Sequence, residues 1–290
     1  MALSTVFSLA DDIVSGESFH PSGGLKFDRS VSEGEMMLPP GREDLEQLQG
    51  QHVVLIGEAM GDELVAIAGG FFEQGIGRLT VLTASEDAAG LLRHQVEAPS
   101  GVTVEIHAVG DDLEGGLDRA LKDTGRIDTV VCTPFARLPM KALTGVSGGD
   151  WSRVLSRDDF ARVVDEQLTH HYRVARKCAL VPRCQLVLVT PDTSRASTRE
   201  EFALAMFVES SLHAFTATLG VETERLPTEP AVNQVQLTRR ARAEEPTTEE
   251  ELAEEARRMV QAILLCAVPA PSPRESRYLA RIFRGNAVTV

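Results

Sequence analysis

Several things are scarce in this chain, and each scarcity closes a class of function. Of 290 residues only four are cysteine, and Cys132, Cys178, Cys184 and Cys266 are scattered without a Cys-x-x-Cys pair. The expectation is buried, reduced thiols in a cytoplasmic protein. His170 and His171 are adjacent, so on a helix they point apart and cannot chelate as an i, i+4 pair can; no metal site is expected. Positive charge is short as well: 29 Lys and Arg face 43 Asp and Glu, for a net charge of −14, and no basic stripe offsets it. Nucleic-acid binding draws on Lys and Arg contacts to phosphate, so no nucleic acid is expected as a partner. Apolar runs such as AILLCAVP at 262–269 fall far short of the ~20 residues of a spanning helix. The start MALSTVFSLADD lacks a basic n-region and a long apolar stretch, and the chain reads as soluble, with no membrane association and no secretion signal.

What is present is a globular composition, 43% hydrophobic, ample for a buried core. Residues 1–44 carry turn-rich stretches (PSGG at 21–24, PPGR at 39–42) and little periodicity. From 45 to 290 strand-length apolar runs alternate with amphipathic helical stretches, the pattern of a parallel sheet covered by helices. Strands are expected at 52–57, 79–83, 102–109, 128–133 and 185–190, with a weaker one at 221–226 and a possible last strand at 285–290. Helices are expected near 61–74, 86–97, 112–123, 157–180 and 199–219, the last ended by Gly220. The acidic run 244–256 reads as the start of a further helix, with Thr248 and Glu251 spaced as a capping box. The fold class is α/β, a Rossmann-like three-layer αβα arrangement around a doubly wound, mostly parallel sheet.

A strand, a glycine turn and a helix at this place in such a domain would ordinarily seat a pyrophosphate on the helix N-terminus. Here the turn is IGEAMGDELVAIAGG. Gly57 and Gly61 are present, Glu63 stands where a third glycine fits, and Glu58, Asp62 and Glu63 bring carboxylates to the place of the phosphates. The turn reads as vestigial, capped by the protein's own acids.

In this order of elements the chain resembles the short-chain dehydrogenase/reductase family over roughly residues 45–240. QLQGQHVVLIGEAMG is similar to the family's first strand and glycine turn, RIDTVVCTPFA to its fourth strand and Asn-Asn-Ala-Gly motif, DEQLTHHYRVARKCAL to its long helix with an Asn. QLVLVTPDTS resembles the strand that leads to the catalytic serine, and SSLHAFTATLG the tail of the Tyr-x-x-x-Lys helix. The resemblance implies a tyrosine that protonates the carbonyl as hydride arrives and a lysine that lowers the phenol's pKa. In this sequence Ala205 falls at the tyrosine and Glu209 at the lysine. Cys132, Thr133, Pro134 and Phe135 replace the Asn-Asn-Ala-Gly motif, Gln167 replaces the helix Asn, and Asp192 falls near the serine, with Thr190, Thr193 and Ser194 close by. Alanine has no proton to give, and a charged glutamate shifts a neighbouring acid's pKa the wrong way. Tyr172 and Arg176 share the Tyr-x-x-x-Arg spacing but precede the 185–190 strand, and Tyr278 has Ile282 four residues on; neither is taken as catalytic.

The N-terminal piece VFSLADDIVSGESFHPSGGL, with Gly16, Glu17, Phe19, His20, Gly23 and Gly24, is similar to the closing segment of a preceding dehydrogenase module. With the linker EGEMMLPPG and AVNQVQL at 231–237, the chain resembles the bifunctional malonyl-CoA reductase family, which joins such modules in tandem. Specifically it resembles the non-catalytic module of the N-terminal half, beside the site where NADPH reduces malonate semialdehyde to 3-hydroxypropionate. That resemblance implies no catalytic residue and no cofactor bound by this chain, NADPH used by an associated active short-chain dehydrogenase module or subunit, and a multidomain or heteromeric oligomer. Two other readings stand beside it: an active NADPH-dependent oxidoreductase with a proton donor such as Asp192 or Thr193, and a stand-alone binding or regulatory protein on the same fold.

Overall fold

The computed structural model describes residues 45–57, 63–110, 112–134, 154–190, 199–223, 226–235 and 249–269. The N-terminal piece 1–44, the expected strand at 285–290 and the Thr248 cap lie outside them. Six strands form one parallel sheet: β1 (His52–Ile56), β2 (Arg78–Thr83), β3 (Thr103–Ala108), β4 (Thr129–Cys132), β5 (Gln185–Val189) and β6 (Ala231–Val235). Their spatial order is β3-β2-β1-β4-β5-β6. In register, Leu55 sits between Val81 of β2 and Val131 of β4. β1, β4 and β5 are buried along their whole length. This is why they read as unbroken apolar runs rather than as alternating ones.

The side chains sort onto two cores by the two-residue period of a strand. Val53, Leu55, Val131, Val187 and Val189 face one core, covered by α1 (Glu63–Glu73), α2 (Glu86–Gln95) and α7 (Glu249–Ala267). Val54, Ile56, Val130, Cys132, Leu186 and Leu188 face the other, covered by α3 (Leu113–Thr124), α5 (His170–Cys178) and the end of α6 (Arg199–Thr223). Between α4 (Arg157–Val163) and α5 the helix opens into a π-helical turn, Val164–Thr169. Local chemistry sets the helix ends. Ser85 and Asp112 accept from the backbone at Ala88 and Gly115, and Ser156 with Asp159 makes a reciprocal capping box. Gly125, at φ 72°, ends α3 in the left-handed conformation that glycine adopts at least cost.

Two expectations are corrected. Residues 221–226 do not form the sixth strand, and Gly220 does not stop the preceding helix: α6 runs on to Thr223, and the sixth strand is AVNQV at 231–235. The buried stripe Leu204, Val208, Leu212 and Thr216 continues to Thr223. Packing along it outweighs the ~1 kcal/mol cost of one internal glycine. The acidic run does open a helix, α7, whose far end is anchored from the sheet: Asn233 Nδ2 donates to the Cys266 carbonyl at 2.9 Å. By length and composition Ala203–Thr223 of α6 is also long and apolar enough to cross a membrane. Here one side of it packs on β6 and the π-helical turn.

Candidate functional site

In an open parallel sheet ligands bind beyond the carboxyl ends of the strands, where the strand order reverses. In this chain that place is between β1 and β4, where Gly57 meets Thr133. The Thr133 amide donates to the Ile56 carbonyl at 2.8 Å and its hydroxyl donates to the same oxygen at 3.1 Å. A Cβ placed on Gly57 would lie 1.9 Å from Thr133 Oγ1. The missing side chain of Gly57 therefore makes room for a threonine of the neighbouring strand, and the hydroxyl points back into the backbone. Gly61, Glu58 and Asp62 lie outside the described residues. Glu63 is the first residue of α1, so a carboxylate does stand in its first turn.

Beside Thr133, Cys132 is fully buried and its thiol is pushed up to about 12 by desolvation, which keeps it protonated and unreactive. One strand further, Thr190 is buried, with its amide 3.0 Å and its hydroxyl 3.4 Å from the Val235 carbonyl. Asp192, Thr193, Ser194 and Phe135 lie outside the described residues. A third threonine, Thr83 at the end of β2, is buried with no hydrogen-bond partner for Oγ1 among the described residues. It went unnoticed in the sequence because LTVLT reads simply as a strand.

Ala205 and Glu209 sit one turn apart on α6, so they share a face, and they are 2% and 3% exposed. That helix packs on the π-helical turn holding Gln167, which is also buried. The positions matched to tyrosine, lysine and the helix Asn are all buried, Ala205 and Glu209 on one face of α6 and Gln167 in the turn on which α6 packs. His171 follows from the same turn. Its Nδ1 bonds the Gln167 carbonyl, its Nε2 has no partner among the described residues, and burial lowers its pKa to about 4. Adjacent histidines gave no sequence signal beyond their poor geometry for chelation. Tyr172 stands 51% exposed on α5 with its ring 6.2 Å from that of Phe215, and Arg176 pairs with Glu114 of α3 at 2.6 Å. Both are surface residues of the helix layer, as their position before β5 implies. All four cysteines are free and buried. Among the described residues no three His, Cys, Asp or Glu side chains gather as a metal ion requires.

A crystal structure titled as the C-domain, with NADP, of a bacterial malonyl-CoA reductase is 42% identical over 98% of this chain, at a TM-score of 0.78. The fold is of the short-chain dehydrogenase/reductase type. A short-chain dehydrogenase from Mycobacterium smegmatis superposes at a TM-score of 0.61 over 77% of this chain and 88% of its own, at 15% identity. A short-chain dehydrogenase/reductase from Serratia marcescens does so at 0.56 over 78% and 94%, again at 15% identity. No family model matches the chain, and neither does any curated protein. This chain spans only 42% of the malonyl-CoA reductase C-domain. The likeness lies with a C-domain, whereas the sequence resemblance pointed to the N-terminal half.

Proposed function

We propose that this chain is a non-catalytic short-chain dehydrogenase-like module or subunit supporting an NADPH-dependent reductase of the malonyl-CoA reductase type, in the part that corresponds to its C-domain. On that placement the supported step is the reductive release of malonate semialdehyde from malonyl-CoA, rather than the reduction of the semialdehyde to 3-hydroxypropionate. NADPH supplies the hydride, from a site on the associated module. The observation that carries the reading is Ala205. The position matched to the proton donor holds a methyl group, packed in the core one turn from a buried glutamate. Thr133 closing against Gly57 and an acid in the first turn of α1 support the further reading that this chain seats no dinucleotide. The NADP named for the similar crystal structure belongs to a chain more than twice as long as the matched part.

The same length argues for what the module supports. The matched structure has room for another unit of this size, and α4, α5 and α6 offer it a face. Phe160, Tyr172 and Met206 are exposed there, and the Phe160 ring lies 5.5 Å from that of Phe207, tilted by 44°. A groove of about 290 Å³ runs between Leu168, Tyr172, Leu212 and Phe215. The occupant proposed for this face is the active short-chain dehydrogenase module, in a cytoplasmic, soluble assembly. Co-expression of this chain with the catalytic remainder of a malonyl-CoA reductase C-domain tests it. The two copurify, and Tyr172→Glu, which puts a charge into the apolar face, reduces recovery about tenfold or more. Separate elution of the unsubstituted pair overturns the reading.

A further inference from the structure

The layer of helices α3 and α5 holds a second recess, at the opposite end of the sheet from Gly57 and Thr133. Its floor is Val130 of β4 with Ile127 just before it, and its walls are Leu117 and Leu121 of α3 with Cys178 and Val181 at the end of α5. Leu117, Ile127, Val130, Cys178 and Val181 are buried, and the recess, open at its mouth, has a volume of about 190 Å³. Protein interiors are close-packed, with few voids larger than a water molecule. An apolar cavity of this order does not hold water well, because water needs polar partners, and it takes small apolar molecules instead. The room is several-fold more than the ~10–15 Å³ that one water needs on the same measure, enough for a short alkyl chain.

The mouth is polar. Lys177 Nζ meets Asp118 Oδ1 at 2.7 Å, bridging α5 to α3 above the cavity, and Leu180 stands beside it 71% exposed. The lysine side chain is the more buried of the pair, 27% against 55% exposed, as expected when its alkyl stem lines the recess and its ammonium sits at the mouth. An incoming anion can take the ammonium while Asp118 turns to water, at small cost, since an exposed pair is worth little.

We infer that this cavity is a binding site for a medium-chain carboxylate, its alkyl chain between α3 and α5 and its head on Lys177. The site is independent of the proposed support role. It lies at the N-terminal edge of the sheet, where this fold does not place a dinucleotide.

Octanoate is the probe, with octan-1-ol and acetate beside it, added to the full chain while the melting temperature is followed. Alkylation of the buried Cys178 by iodoacetamide, read by peptide mass spectrometry, reports on opening of the chain around the recess. Octanoate raises the melting temperature saturably and slows Cys178 alkylation; acetate does neither. Leu121→Trp, which fills the cavity from its half-buried rim, abolishes both effects. Lys177→Met weakens octanoate about fivefold and leaves octan-1-ol unchanged. No response of the unsubstituted chain up to about 10 mM octanoate, a ligand too weak to matter, overturns the site, as does an equal response in Leu121→Trp. Should that variant fail to fold, absence of Cys178 protection in the unsubstituted chain overturns it equally. Unchanged octanoate affinity in Lys177→Met overturns the carboxylate assignment.

Discussion

Gly57 and Thr133 compete for one volume, and the threonine has it. Its hydroxyl and its amide are both tied to the Ile56 carbonyl, so the residue cannot swing aside without losing a buried bond. Gly57→Ala is therefore expected to cost about 1–3 kcal/mol, read as a lower urea midpoint. Adding Thr133→Ala recovers a large part of that, as neighbours sharing a space do not add independently. His171 makes a second prediction at this scale. Burial holds its folded pKa near 4, against an ordinary value of 6.5, so between those values the unfolded chain binds the proton that the folded one refuses. Stability is then full above pH ~6.5 and falls as the pH drops toward 4, by about 3 kcal/mol at most from this residue. His52, lowered first by burial as well, adds to the same slope. His171→Leu isolates the contribution: urea midpoints at several pH values between about 7 and 4.5 show a shallower decline in the variant.

Helices α1 and α7 approach closely at Gly70, where a Cβ would lie 2.2 Å from Val260 Cγ1 and 3.5 Å from Leu264 Cδ1. Valine in a helix has essentially one rotamer, so it cannot yield. Gly70→Ala is expected to push the two helices apart and to lower stability by about 1–3 kcal/mol, and Val260→Ala in that background to restore most of it by thermal melting. Elements of this kind also show how far the sequence could be read. β1, β4 and β5 were legible because a strand buried on both faces must be apolar throughout. The end of α6 was not. Val221, Glu222 and Thr223 have β-leaning composition and follow a glycine, and only the stripe through Thr216 to Thr223, packed on other elements, decides for helix. The π-helical turn at Gln167 left no trace in the spacing of apolar residues, since it inserts within one continuous helix. At the candidate site Ala205 and Glu209 were visible as residue types, but their burial depends on how α6 docks. The threonines that close the strand ends were hidden because a hydroxyl's partner is set by a neighbouring strand far away in sequence.

For the molecule as a whole, the chain is similar over 98% of its length, at 42% identity, to part of a longer crystal structure, while the more distant dehydrogenases share only its fold. An all-parallel sheet with both faces covered is a stable scaffold whatever site it carries, because the cores on either side are built from buried apolar residues. On the proposed reading this scaffold offers surface, and the exposed Phe160, Tyr172 and Met206 of α4, α5 and α6 mark where it does so. The central claim, that the chain itself seats no dinucleotide, is tested most directly by isothermal titration of NADPH into the purified protein at concentrations up to about 1 mM, together with its thermal shift. The account predicts no saturable heat and an unchanged melting temperature; a saturable isotherm with a matching rise in melting temperature would contradict it.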